Sequence, residues 1–185
     1  MKALLVLCVG LALAGCREDD TALPAPVDLS VEAVGYYCQM DLLNHAGPKG
    51  QIHLDGMPAP IFFSQVRDAI AYLHMPEQSH AVRATYVQDM AGAASWDRPA
   101  RWIGVTEAVY VVGSDRMGGM DAPEYVPFSD RAEAQKFITR HGGSLRRFQD
   151  FTAAEVLASD APKQEDRPND MSLRLKALSG EDRSN

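Results

Sequence analysis

Apolar residues follow three different spacings along the chain. Residues 3–14 form an apolar run whose one interruption is Gly10. Between about 27 and 158 the pattern switches between period two and period 3.6, the marks of half-buried strands and amphipathic helices. From 159 to 185 apolar residues thin out among mixed charges. Met171, Leu173, Leu175 and Leu178 admit one short helix there, in a tail that otherwise reads as disordered.

The middle stretch carries the fold. Val27, Leu29 and Val31 alternate with polar neighbours, as a strand would. Residues 50–63 hold Asp55-Gly56 between two apolar runs, a hairpin signal because both residues tolerate positive φ. Ser64 is placed to cap a helix in which Val66, Ala69, Ile70 and Leu73 recur until Pro76. Strands follow near 81–87 and 107–112, separated by a loop with Trp96 and Pro99. A glycine- and methionine-rich loop spans 113–120. A second helix runs from Ser129 as cap to His141, stopped by Gly142-Gly143, and 145–148 reads as a closing strand.

An echo links the two halves. Phe63-Ser64 with Ala69, Tyr72 and Leu73 matches Phe128-Ser129 with Ala134, Phe137 and Ile138, all at an offset of 65 residues. Each set is a strand end, a serine and a helix burying one face. The expectation is an α+β protein of two similar, duplicated ββα units, 27–95 and 96–158.

The leading run changes where this domain is placed. It is too short to span a bilayer, and with Lys2 before it suits the core of a secretory signal. It ends in Leu13-Ala14-Gly15-Cys16, which resembles the bacterial lipobox. That resemblance implies a signal peptide over 1–15, cleavage before Cys16 and a lipidated Cys16 that anchors the protein to a membrane. Acylation by more than one chain makes such anchoring stable. Residues 16–26, acidic and then proline-rich, read as a flexible tether. The expected location is the periplasm, with Arg17 favouring the outer membrane.

Composition narrows the function. At 185 residues and 46% apolar the chain can bury a real core. Its net charge of −7, about −8 once Lys2 is lost, argues against a nucleic-acid binder. Three cysteines are too few for a disulfide scaffold. Cys8 leaves with the signal and Cys16 takes the lipid, so Cys38 remains as an unpaired thiol in an oxidising compartment.

An inert buried cysteine is the plain reading of Cys38, with nucleophile and metal ligand as the sharper ones. Met40 adds weight to the metal. If residues 38–40 are extended, the thiol and thioether share a face, and soft sulfur pairs select Cu(I). Met117-Gly118-Gly119-Met120 places two more thioethers on a permissive loop. His45 is the histidine nearest Cys38 in sequence and a further candidate ligand. No G-x-S-x-G, H-E-x-x-H, P-loop or G-x-G-x-x-G signature is present. On these residues a thiol enzyme with Cys38 as nucleophile and a lipid-anchored interaction module without metal stay open as alternatives.

The lipobox, Cys38-Gln39-Met40, Tyr110-Val111-Val112-Gly113-Ser114, Met117-Gly118-Gly119-Met120, Glu124-Tyr125-Val126-Pro127-Phe128 and His141-Gly142-Gly143 together resemble the NosL family. The resemblance covers about 35–150. It implies a fold of two similar ββα units related to part of organomercury lyase. It implies a non-enzymatic lipoprotein that delivers Cu(I) for the copper–sulfide centre of nitrous oxide reductase. Cys38 and Met40 would bind the metal, with Met120 as the additional thioether and Met117 and His45 as further candidates. The implied partners are that reductase and a periplasmic β-helical protein of an ABC-type membrane complex.

Overall fold

Gly50–Leu54 forms strand β1 in the computed structural model, which describes residues 22–78 and 80–158. The expected signal peptide, the lipidated Cys16 and the tail from 159 lie outside the described residues. Among the described residues no helix is long and apolar enough to cross a membrane. Ile52 and Leu54 of β1 face the core, while Gln51 and His53 face the other way. Strand β2 (Ile61–Phe63) and strand β3 (Val82–Gln88) pair antiparallel on either side of β1. Strand β4 (Trp102–Gly104) extends the sheet beyond β3, giving the order β2-β1-β3-β4. Asp55-Gly56 does turn the chain, with Gly56 at φ 71 and Met57 N–H donating to Leu54 O at 3.2 Å. The connection then runs on to Ile61, so the hairpin is longer than a two-residue turn.

Helix α1 (Val66–His74) lies on this sheet. Its Ala69 sits so close to β1 that a Cβ on Gly50 would approach it to 2.5 Å. The second sheet is built alike. Strands β5 (Val109–Ser114) and β6 (Val126–Phe128) pair antiparallel, helix α2 (Arg131–His141) follows, and strand β7 (Gly142–Arg147) returns beside β5. Its order is β6-β5-β7. Each unit is thus ββαβ, with a third strand closing the sheet after the helix. Gly142, at φ 73, ends α2 and starts β7 at once. A short helix α3 (Ala153–Val156) ends the described chain.

Three apolar clusters explain why the helices differ. Ala69 and Tyr72 of α1 pack on Ile52, Leu54 and Phe63. Val66 and Ile70, on its other side, pack on Tyr110, Tyr125, Phe151 and Val156. Helix α1 is therefore covered from both sides, and each fully buried Ile or Val contributes about 1.5–3 kcal/mol. Helix α2 buries one face only, with Ala134 and Phe137 against Val111, Val126 and Phe128.

The serines expected as caps do other work. Helix α1 has Gln65 as its N-cap, and the Gln65 side chain makes no capping hydrogen bond. Asp130, not Ser129, caps α2 and accepts Ala132 N–H at 2.7 Å. Ser129 donates its hydroxyl and its N–H to the buried Asp89, at 2.5 and 2.9 Å.

Residues 27–31 are not a strand. Val27 is bonded by a side chain instead: its N–H donates to Gln51 Oε1 at 2.8 Å and its carbonyl accepts Gln51 Nε2–H at 2.9 Å. Val31 is 80% exposed. Residues 22–26, expected to be part of a flexible tether, lie along the outer face of the first sheet. Tyr86 donates its hydroxyl to Pro24 O at 2.6 Å and Arg83 reaches Ala22 O at 3.4 Å.

Candidate metal centre

Residues 34–41 close into a small loop. Val34 and Asp41 form an isolated bridge, Gly35 N–H donates to Met40 O at 3.0 Å, and Gln39 N–H donates to Gly35 O at 2.8 Å. The segment is therefore turned, not extended, so Cys38 and Met40 do not share the strand face expected of them. Gln39 takes φ 54, and its side-chain amide donates to Tyr36 O at 2.7 Å, which steadies that left-handed turn. Tyr36 N–H donates to Phe62 O at 2.6 Å, fastening the loop to the edge of β2. Gly35 is buried against the thiol, and a Cβ there would overlap Cys38 Sγ. Tyr36, Tyr37, Phe63 and Tyr72 form an aromatic base under the loop. Burial, aided by Asp68, pushes the Tyr37 phenol up to about 12.

His45 joins this loop to the methionine loop. Its Nε2 lies 3.9 Å from Cys38 Sγ, and its Nδ1 lies 2.6 Å from the carbonyl of Gly119. A carbonyl only accepts, so Nδ1 carries the proton and Nε2 presents its lone pair to the sulfur. Metal-binding histidines are oriented in the same way, with the second ring nitrogen donating to a backbone carbonyl. Gly119 is packed tightly: a Cβ there would stand 2.7 Å from His45 Cβ and 2.6 Å from Ser64 O.

The methionine loop is a narrow hairpin. Met117 bridges to Pro123 at its base, and Asp121 N–H donates to Gly118 O at 3.1 Å around its tip. Met120 is at that tip, 41% exposed, and its N–H donates to Gln65 Oε1 at 3.2 Å. Met117 and Met40 are also about half exposed. Cys38 is partly buried.

Two buried charged groups lie beneath these loops. Glu124, 1% exposed, accepts Val66 N–H at 3.2 Å, Arg67 N–H at 3.0 Å and Tyr125 N–H at 2.8 Å. It thereby caps α1 from 58 residues away in sequence. Burial drives its carboxyl up to about 8 against the pull of those donors. Lys49 Nζ donates to the carbonyls of Ala46 and Gly47, just after His45. Burial lowers its ammonium to about 8, opposed by the attraction of Glu124 and Asp97.

The fold thus brings Cys38 and His45 together and seats the Met117–Met120 hairpin against His45, while Met40 stays on the rim of the Cys38 loop. Gly35, Gln65, the Gly119 carbonyl and Glu124 are parts of this site that the sequence reading did not assign. The glycine pair and the Glu124-Tyr125-Val126-Pro127-Phe128 motif were their only local signals. Among the described residues no three His, Cys, Asp or Glu side chains converge. A metal held here by more than Cys38 and His45 draws on thioether sulfur.

An α+β domain with a thiol, an imidazole and accessible thioethers on adjoining loops is a soft-metal-binding protein by its chemistry. The comparisons name the family. The NosL family model matches residues 26–156, and the chain belongs to that family. It is 48% identical over 183 residues to the copper-binding lipoprotein NosL of Achromobacter cycloclastes, covering 96% of this chain and 95% of that one. It is 29% identical over 161 residues to the protein of the same name from Stutzerimonas stutzeri, covering 82% and 80%. The crystal structure of the copper chaperone NosL from Shewanella denitrificans superposes with a TM-score of 0.65 at 30% identity. That match covers 72% of this chain and 98% of the other.

Proposed function

We propose that this chain is a copper chaperone that carries Cu(I) as cargo between the Cys38 thiolate and His45 Nε2, with Met120 as the next donor. The supporting observation is the 3.9 Å between Cys38 Sγ and His45 Nε2, with Nδ1 held by Gly119 O. With bonds of about 2.3 Å to sulfur and about 2.0 Å to nitrogen, as a d10 ion makes, that separation gives an angle of about 130° at the metal. This is close to trigonal, so a third donor fits without moving the pair. Met120 is taken as that donor because its hairpin packs on His45 through Gly119; Met117 and Met40, also about half exposed, serve exchange.

Binding displaces the thiol proton, because copper needs the thiolate. Release proceeds by ligand exchange: an incoming donor from the acceptor replaces the accessible thioether first, and the thiolate leaves last. Cys16 lipidation holds the chaperone to a membrane in the periplasm. The cargo is destined for the copper–sulfide centre of nitrous oxide reductase, received through the β-helical protein of an ABC-type membrane complex. The family membership and the names of its relatives support the copper-chaperone and lipoprotein parts of this reading.

The test is a Cu(I) titration of the full chain in detergent against a competing chelator. One tightly bound copper is expected, with most of that affinity lost in Cys38→Ser. Wild-type affinity in Cys38→Ser would refute the assignment.

A further inference from the structure

Glu124 is a fully buried carboxyl group at the base of the methionine hairpin. Its contacts show what it does. The two oxygens take the first free N–H groups of α1, those of Val66 and Arg67, which carry the positive end of the helix. They also press on the methionine hairpin: a Cβ added at Gly118 would stand 2.6 Å from Glu124 Oε2 and 2.7 Å from Gln65 Oε1. Gln65, next to Val66 and itself buried, holds Met120 N–H at 3.2 Å. On the other side of the same turn, Ser64 O and His45 Cβ pack on Gly119. Residues 64–67 are thus the surface on which residues 118–120 lie, and Glu124 ties that surface to the hairpin from below.

We propose that Glu124 is a positioning residue that holds the Met117–Met120 hairpin in register with the Cys38–His45 pair, so that the Met120 thioether reaches the metal. This rests on the copper reading above. Removing the carboxylate leaves an α1 N–H without an acceptor. It also loosens Gln65, and the hairpin tip shifts while Cys38 and His45 keep their contact. Partners behind the ligands of a metal site typically contribute 10–100-fold in affinity.

The experiment is a double-mutant cycle on the full chain in detergent, read by Cu(I) competition and by copper X-ray absorption. Glu124→Gln keeps the shape but replaces one oxygen, able to accept an α1 N–H whether or not the carboxyl is protonated, with an amide nitrogen that cannot accept. It is expected to lower affinity 10–100-fold and to remove one sulfur from the copper shell while the imidazole signal remains. Adding Met120→Ala is then expected to cost little more, because both changes remove the same thioether. Fully additive losses, or an unchanged sulfur count with only a lower melting temperature, would overturn the proposal. If Glu124→Gln does not fold, Gln65→Met breaks the same chain one step later, and the same cycle with Met120→Ala decides. Cys38→Ser is the control: its retention of copper would sink the copper reading itself, whereas its loss beside a normal Glu124→Gln sinks only the role of Glu124.

Discussion

Gly119→Ala probes the join between the Cys38 loop and the methionine hairpin with the smallest available change. Its added Cβ would meet Ser64 O at 2.6 Å and His45 Cβ at 2.7 Å, against ordinary contacts of 3.4–4 Å. Ser64 O is backbone, so the hairpin tip must retreat by about 0.8 Å to reach ordinary contact. The His45 Nδ1 bond to Gly119 O, now 2.6 Å, then stretches to ~3.4 Å, outside the useful range for N–H···O. Overpacking is expected to cost about 1–3 kcal/mol of stability. Losing the bond that orients the imidazole should lower Cu(I) affinity about 10–100-fold, or about 1.4–2.8 kcal/mol. Urea unfolding gives the first quantity and chelator competition the second. Gly56→Ala is the matched control. It lies at the other end of β1, with nothing within 4 Å and φ 71, so it should lose about 1–2 kcal/mol through backbone strain alone and keep its affinity. Wild-type affinity in Gly119→Ala, or an equal loss in Gly56→Ala, would refute the reasoning.

The remaining predictions concern the buried carboxyl and the docked N-terminal segment. Glu124 keeps its proton in the folded chain up to about pH 8, whereas the unfolded chain releases it near the ordinary carboxyl value of 4.5. Its contribution is therefore complete below that value and falls as pH rises toward 8. Urea midpoints from pH 5 to 8 should fall more steeply in wild type than in Glu124→Gln, and parallel curves would contradict the assignment. Tyr86→Phe removes the donor to Pro24 O and should cost about 1 kcal/mol. Hydrogen exchange at residues 22–27 should quicken while copper affinity stays the same, and unchanged exchange would show that the segment is held otherwise.

Local pattern carried the sequence reading as far as local contacts reach. Helix α2 was legible almost to the residue, because Asp130 and Gly142 act within its own turns. The 65-residue echo anticipated two units, and both show the same ββαβ strand order. Two of the failures share one cause, a partner distant in the chain. Ser64 looked like a cap, but the acceptor for α1 is Glu124. Val27, Leu29 and Val31 alternate like a strand, but the available partner is the Gln51 side chain, not a strand edge. β4 has three residues, of which only Ile103 is buried, too short to show a period.

The candidate donors were legible in the sequence, and their geometry was not. Cys38, His45 and the two loop methionines stand out by chemical type alone. The turn at Gln39 and the His45–Gly119 contact, 74 residues apart in sequence, have no periodic trace. His45 moves as a result from the margin of the candidate set to the centre of the copper reading.

Copper X-ray absorption on the Cu(I)-loaded full chain tests that reading most directly. The account predicts a low-coordinate site with sulfur and one imidazole nitrogen, the nitrogen signal vanishing in His45→Ala and the short sulfur in Cys38→Ser. A copper shell without imidazole, or one that neither substitution alters, would contradict it.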